Sequence, residues 1–235
     1  EYYVANKLMK GFIGSANIDT NSRLCMASSV AGHRRAFGAD TVPGCYEDLE
    51  LADLVVLVGS NMAWCHPVLY QRLAAAKAAR PAMKVVVIDP RRTATSDIAD
   101  LHLAVRPDGD IALFNGLLAY LAETGAIDEN YVGKHTSGFG EALLAASRGS
   151  MADLSDSTGV SGMLLRQFFR LFAQTEKVVT CYSQGVNQSS VGTDKVNAII
   201  NSHLATGRIG RPGMGPLSLT GQPNAMGGRE VGGLA

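Results

Sequence analysis

Two short apolar runs with polar ends set the pattern of the first half of the chain: "DLVVLVGSN" at 53–61 and "MKVVVIDPRR" at 83–92. Each predicts a strand. Between them, "HPVLYQRLAAAKAAR" (66–80) has helical composition, with proline near its start and basic residues toward its end, the order in which helices open and close. The three segments together predict a βαβ unit. "LHLAVRPDGD" (101–110) adds a third strand ending in a turn, and "DIALFNGLLAYLAETG" (110–125) a helix stopped by Gly125. Ligands of open parallel sheets sit beyond the carboxyl ends of the strands. The expected rim therefore comprises Gly59, Ser60 and Asn61, then Asp89, Pro90, Arg91, Arg92 and Thr93, then Asp108, Gly109 and Asp110.

A second block begins near residue 130. "SGMLLRQFFRLFAQT" (161–175) is amphipathic, and its Phe168, Phe169 and Phe172 belong to a core. The strand "KVVTCY" (177–182) follows, then the polar loop "SQGVNQSSVGTD" (183–194) and the helix "DKVNAIINSHLATG" (194–207). Cys181 alternates with apolar neighbours and reads as core. Residues 207–233 hold nine glycines in 27 positions, so the segment either is flexible or wraps closely around something large and flat. The interleaved Pro212, Pro216, Leu217, Leu219, Gln222, Pro223 and Asn224 are unlike a low-complexity linker. With no closing element after "EVGGLA", the chain is expected to be a fragment whose missing part completes the site.

Near the start, "NSRLCMASSVAG" (21–32) predicts a helix with Asn21 or Ser22 as N-cap, running to Gly38. Cys25 falls in its first turn, where the helix dipole and unpaired N–H groups favour thiolate over thiol. From this alone it is a buried small hydrophobe, a nucleophile or a metal ligand.

Composition narrows the classes. The chain has 235 residues, 46% hydrophobic and 18% charged, enough for one large or two modest domains with real cores. Twenty-one basic and 21 acidic side chains cancel, so no nucleic-acid or anionic-membrane surface is expected. No apolar run approaches the roughly 20 residues needed to span a bilayer. Cys25, Cys45, Cys65 and Cys181 form no CxxC pair, which argues against a zinc knuckle, a locally held iron–sulfur cluster or a disulfide framework.

The rim chemistry suits a nucleotide. Gly59 lets a backbone approach a phosphate or pterin, with Ser60 and Asn61 as short polar arms. Asp89 closes the second strand, where a ribose hydroxyl is held; Arg91 and Arg92 can clamp phosphate, and Asp108 or Asp110 can accept from the donor edge of a purine. The GxGxxG fingerprint is missing, which disfavours a nicotinamide cofactor.

The motifs "NSRLCMASSVAG", "GCYEDLELADLVVLVGSNMAWCHPVLYQRL", "DPRRTATSDIADLHLAVRPDGDIAL", "SQGVNQSSVGTDKVNAI" and "PLSLTGQPNAMGGREVGG" together resemble the molybdopterin oxidoreductases of the dimethyl sulfoxide reductase family. Within it they are most similar to the nitrate reductase branch, assimilatory and periplasmic. The resemblance implies an α/β fold of two Rossmann-like open sheets with flanking helices. It divides the chain into a dinucleotide-binding region carrying the metal cysteine (1–130) and a truncated second region ending in a Gly-rich cofactor loop (131–235). It implies molybdenum held by Cys25 and by two molybdopterin guanine dinucleotides. Met26 takes the place of the histidine found in formate dehydrogenases, and a thioether suits oxygen-atom transfer from nitrate better than proton abstraction from formate. Asn21, the strip Gly59, Ser60, Asn61, Met62, Ala63, Trp64 and Cys65, and the turns 89–93 and 108–110 match segments lining one cofactor. Gln184 and Gln188 match positions beside the metal and the other cofactor; periplasmic relatives carry methionine at Gln184. Gln222 falls near Arg229, which aligns with an arginine near the metal that attracts an anion.

The expected partners are nitrate and an electron-donor protein or domain, with no nucleic acid and no membrane insertion. The compartment is expected to be the cytoplasm, with the periplasm as the alternative. A 4Fe–4S cluster belongs to the parent but not to this segment. The competing readings are a formate dehydrogenase-like oxidoreductase and a non-catalytic nucleotide-binding module. If Arg229 attracts the anion, Arg229→Ala in the full-length parent raises KM for nitrate without altering the metal's ligands; steady-state kinetics with an unchanged KM contradict this.

Overall fold

The computed structural model describes residues 1–19, 22–147 and 149–221; Asn21, Gln222 and Arg229 lie outside them. A short helix α1 (Tyr2–Asn6) continues as a π-helix through Lys7–Ile13. Next come α2 (Ser22–Cys25), α3 (Ala27–Phe37) and α4 (Asp48–Leu51). The expected single helix over 21–38 is thus broken. Met26 leaves helical space (φ −134°, ψ 30°) and buries its side chain, so Cys25 ends one turn and Met26 caps the next helix. Gly38 closes α3 in the left-handed region, its N–H reaching Arg34 O at 2.9 Å.

The expected βαβ unit follows as β1 (Leu54–Val58), α5 (Met62–Cys65), α6 (Pro67–Ala79) and β2 (Lys84–Ile88). Pro67 opens α6, where its missing N–H costs nothing. Then β3 (Leu101–Leu103) and α7 (Asp110–Glu123) complete the first half. Three helices open the second block: α8 (Glu129–His135), α9 (Phe139–Ala146) and α10 (Met151–Thr158). Asp128 caps α8 through the Tyr131 N–H, and Ser150 with Asp153 forms a reciprocal capping box on α10. After α11 (Gly162–Gln174) come β4 (Val178–Tyr182), α12 (Gln184–Asn187), α13 (Gly192–Ala205) and β5 (Gly215–Ser218).

All five strands pair in parallel in one sheet, in the order β3-β2-β1-β4-β5. The α/β class with flanking helices is as expected. The two halves of the chain, however, contribute strands to a single sheet rather than to two, because β4 adds to the free edge of β1 in register Leu54 with Val178. Part of the Gly-rich segment becomes β5. Gly213, at φ 75°, passes so close to α4 that a Cβ would lie 3.0 Å from the Leu51 carbonyl carbon.

The central strands are buried on both faces, as parallel sheets require. Leu54, Val56, Val58, Val86 and Ile88 pack against α7, α11 and α13, with Phe168, Phe169 and Phe172 in that layer as expected. Val55, Leu57, Val85, Val87 and Cys181 face the other way, onto α4, α5 and α6. Phe169 is fully buried, with ring centroids 5.9 Å from Phe168 and 5.6 Å from Tyr120. Truncating it costs about 3–5 kcal/mol: Phe169→Ala should show that loss in denaturant unfolding, and a loss under about 1 kcal/mol would contradict this packing.

Candidate functional site

The chain adds β2 and β3 on one side of β1 and β4 and β5 on the other. The connections therefore diverge between β1 and β4, and it is beyond the strand ends at such a point that open parallel sheets take their ligands. Two glycines meet there. Gly59, just past β1, has φ 53°, and its carbonyl accepts from the Gly185 N–H at 3.0 Å. A Cβ on Gly59 would lie 2.7 Å from Gly185 Cα, and one on Gly185 2.6 Å from Gly59 Cα. No side chain fits in either position, so the two turns stay backbone-to-backbone.

Gln184, beside Gly185, reaches across to α2. Its Nε2 donates to Cys25 Sγ at 2.8 Å, joining residues 159 apart in sequence. Its Oε1 is buried and has no hydrogen-bond partner among the described residues, and the same holds for both polar ends of the Asn187 side chain. Buried polar atoms left without partners are costly and rare. Of the three, the Gln184 Oε1 stands beside Cys25 Sγ, where a bound polar group could reach it.

A cleft of about 550 Å³ runs from this point across the carboxyl ends of β1, β2 and β3. It brings together Gly59, Asp89, Pro90, Arg91, Asp108 and Asp110 from the expected rim, Gln188, which the resemblance put beside the metal and the other cofactor, and Arg106, Ser189 and Lys195. Lys195 is the residue that sequence reasoning missed. Only 2% exposed, it sits on α13 among apolar neighbours, and its Nζ lies 2.8 Å from both Asp108 Oδ1 and Asp110 Oδ2. The one available signal was a lysine on the apolar face of that helix. Ser189 Oγ also donates to Asp108 Oδ1, at 2.7 Å.

These contacts explain why Asp108 tolerates φ 66°, a strained region for a non-glycine residue. The Lys195 and Ser189 hydrogen bonds hold the Asp108 carboxyl below its usual range. Burial works against the Lys195 ammonium, but the two carboxylates outweigh it and raise it above an ordinary lysine. The expectation that Asp108 or Asp110 accepts from a purine edge thus meets a competing partner, since both already hold Lys195.

The other expected rim residues divide. Asp89 Oδ1 accepts from the Arg91 N–H at 2.9 Å, closing its own turn. Ser60 is buried, with no partner for its Oγ among the described residues. Asn61 Oδ1 accepts from Thr95 Oγ1 at 2.9 Å, and Thr95 Oγ1 in turn accepts from the Ala63 N–H, so Asn61 and Ala63 are fastened to the turn that follows β2. Met62 is fully buried against Leu57, Leu69 and Leu73; its side chain anchors α5 and does not line the cleft. Trp64 is 78% exposed, and Cys65 and Arg92 are also exposed; Thr93 is half-buried. None of these four lines the cleft. Gly109 is buried at the start of α7, with space for a Cβ closed by Arg106 O at 3.0 Å. Met26 lines a separate cavity of about 320 Å³ with Cys45, Tyr46, Ser218 and Thr220.

A doubly wound parallel sheet, a glycine pair at its switch point and a cysteine sulfur facing that pair's neighbour define an α/β protein with a crevice where open parallel sheets take their ligands. The chain matches the molybdopterin oxidoreductase family over residues 1–235 and belongs to it; molybdenum and molybdopterin are the cofactor class of that family. Over its whole length it is 59% identical to a nitrate reductase of Klebsiella oxytoca, covering 27% of that protein, and 58% identical to one of Shewanella frigidimarina, covering 25%. It is 39% identical to a periplasmic nitrate reductase of Desulfovibrio desulfuricans, over 99% of this chain and 32% of that protein. The chain therefore spans about a quarter to a third of the length of these relatives. Acetylene hydratase from Pelobacter acetylenicus has the same fold, with TM-score 0.71 and 22% identity over 88% of this chain and 28% of that one. Among the described residues no helix is long and apolar enough to cross a membrane.

The Lys195 cluster makes a stability prediction. Lys195→Met leaves the buried Asp110 carboxylate without its partner and costs about 3–5 kcal/mol. Asp108, with its pKa lowered, contributes stability above its ordinary 3.8 that is lost as acid protonates it below that value. Lys195, with its pKa raised, contributes below 10.5 and is lost as alkali deprotonates it above that value. The gap in unfolding midpoint between wild type and Lys195→Met should be widest between these limits and shrink at both ends; a gap independent of pH contradicts the pairing.

Proposed function

We propose that this chain is the portion of a nitrate reductase catalytic subunit that supplies the protein ligand to molybdenum and one wall of its cofactor site. The observation that carries this reading is the 2.8 Å contact of Cys25 Sγ with Gln184 at the β1/β4 switch point, in a chain 58–59% identical to nitrate reductases. The residues present fit such a group. The unpartnered Gln184 Oε1 offers an acceptor beside the sulfur, and the Gly59–Gly185 contact leaves bare backbone for close approach.

On this reading Cys25 holds the metal, and sulfur is the ligand such a metal favours. Gln184 donates to that sulfur, which steadies its negative charge and fixes its direction. Asp89, Gln188 and the backbone at Gly59 and Gly185 receive a pterin guanine dinucleotide along the cleft, and Lys195 bridges Asp108 and Asp110 in its wall. Met26 has no titratable group and leaves the substrate approach without a proton acceptor of its own. Arg229 and Gln222 carry anion attraction, as the resemblance implies. When bound, the molybdenum centre supplies oxygen-atom transfer, which converts nitrate, two electrons and two protons to nitrite and water. The guanine dinucleotide form, the 4Fe–4S cluster and the electron donor belong to the same proposal for the whole parent. A cytoplasmic compartment gains no support from the relatives, one of which is named as periplasmic.

The test uses the full-length parent, assayed for metal content and for nitrate reduction with a reduced dye. Cys25→Ala should abolish activity, and Gln184→Leu should lower activity or metal retention by about 10–100-fold. Wild-type metal content and turnover in Cys25→Ala would overturn the reading.

A further inference from the structure

One buried polar cluster is not used by the site above. Ser29 and His33 lie one turn apart on α3, both buried, and face Tyr182 at the end of β4. Tyr182 Oη is 2.7 Å from His33 Nε2 and 3.1 Å from Ser29 Oγ, and Ser29 Oγ is 2.7 Å from Ser218 Oγ on β5. At the other end His33 Nδ1 lies 3.5 Å from Asp40 Oδ1. The side chains form a line of carboxylate, imidazole, phenol and two hydroxyls. Its ends lie apart: the Asp40 side chain is 13% exposed, while Ser218 lines the open-mouthed cavity of about 320 Å³ shared with Met26, the residue after Cys25, and with the exposed Cys45, Tyr46 and Glu47. Fastening α3 to the sheet would take only apolar side chains, whereas a connected polar chain through a core is costly unless every member is partnered.

We propose that Asp40, His33, Tyr182, Ser29 and Ser218 form a proton relay from the protein surface to the cavity beside the Cys25–Met26 turn. Its use rests on the nitrate reductase reading, in which each nitrate consumes two protons and two electrons and the electrons come from the donor. Each passage moves one proton. Asp40 gives its carboxyl proton to His33 Nδ1 as the Nε2 proton passes to Tyr182 Oη. The phenol proton passes to Ser29, the Ser29 proton to Ser218, and the Ser218 proton enters the cavity. Asp40 takes its replacement proton from water and every other group regains one from the group before it. The passage leaves His33 as its Nδ1–H tautomer and the hydroxyls turned about, which reorientation of the side chains reverses before the next passage, and no bond between heavier atoms forms or breaks. The first step is the longest: His33 Nδ1 and Asp40 Oδ1 lie 3.5 Å apart, outside the usual N–H···O range, so the relay requires the Asp40 carboxylate to move inward before the proton passes. Burial pushes the Tyr182 phenol up to about 12, so it stays a neutral hydroxyl able to donate and accept.

The experiment mixes the metal-loaded full-length parent with a reduced dye in the absence of nitrate and follows proton uptake with a pH indicator. Metal content and the KM for nitrate are measured on the same samples. Tyr182→Phe keeps the ring and removes the hydroxyl; it should slow uptake by roughly tenfold or more with metal content and KM unchanged. Asp40→Asn, at the surface end, should slow uptake in the same direction, and it decides the matter if Tyr182→Phe fails to hold the metal. Wild-type uptake rates in a metal-loaded variant overturn the relay, as does a wild-type protein that takes up no protons on reduction. A wild-type protein that takes up protons through this route but leaves nitrate untouched removes the nitrate reading and supports the relay.

Discussion

The contact between Gly59 and Gly185 governs the site. β1 and β4 are neighbours at the middle of the sheet, and the turns leaving them approach so closely that neither can carry a side chain. This approach brings Gln184 to Cys25 and leaves the crevice floor as bare backbone. It also depends on the layers beneath. The alternate faces of β1 and β4 are clamped by α7, α11 and α13 on one side and α4, α5 and α6 on the other, so the strand ends have little freedom to separate.

Buried cations fasten the surrounding elements to that frame. Lys195 ties α13 to the turn before α7 through Asp108 and Asp110. Arg208 turns back under the end of α11, donating to Phe172 O at 3.0 Å, Thr175 O at 2.6 Å and Glu176 O at 3.1 Å, with its guanidinium 4.6 Å from the Phe172 ring centre. Burial lowers Arg208 to about 10. Cations at helix C-termini meet the negative end of the dipole, which makes this a favourable place to bury one. His203, buried beside it, is held well below an ordinary histidine by burial and by the Arg208 charge. It bonds Thr180 Oγ1 at 2.8 Å as a neutral ring.

Much of the fold could be read from local pattern. The runs at 53–61 and 83–92, Pro67 and the Phe-rich helix each carry their own signal, and each lies where that signal puts it. The elements that were missed are those whose signals are short or depend on distant partners. β5 has four residues, one of them proline, inside a glycine-rich stretch, and it exists because β4 offers a free edge. The helices α8 and α10 had legible caps in Asp128 and Ser150 but followed no apolar run. The break at Met26 comes from burial of that side chain, which helix propensity does not report. Within the site, the strand-end positions were legible because topology places them. The contact of Cys25 with Gln184 was not, since residues 159 apart leave no spacing to read, and Lys195 was hidden because a lysine paired inside the fold looks in sequence like any other.

In the proposed function the sulfur facing Gln184 is the protein's bond to molybdenum. Molybdenum K-edge X-ray absorption of the full-length parent and of its Cys25→Ser variant, both loaded with metal, reads that bond. The sulfur shell around the metal should lose one scatterer in the variant and gain a lighter one. Identical sulfur shells in the two proteins would contradict it.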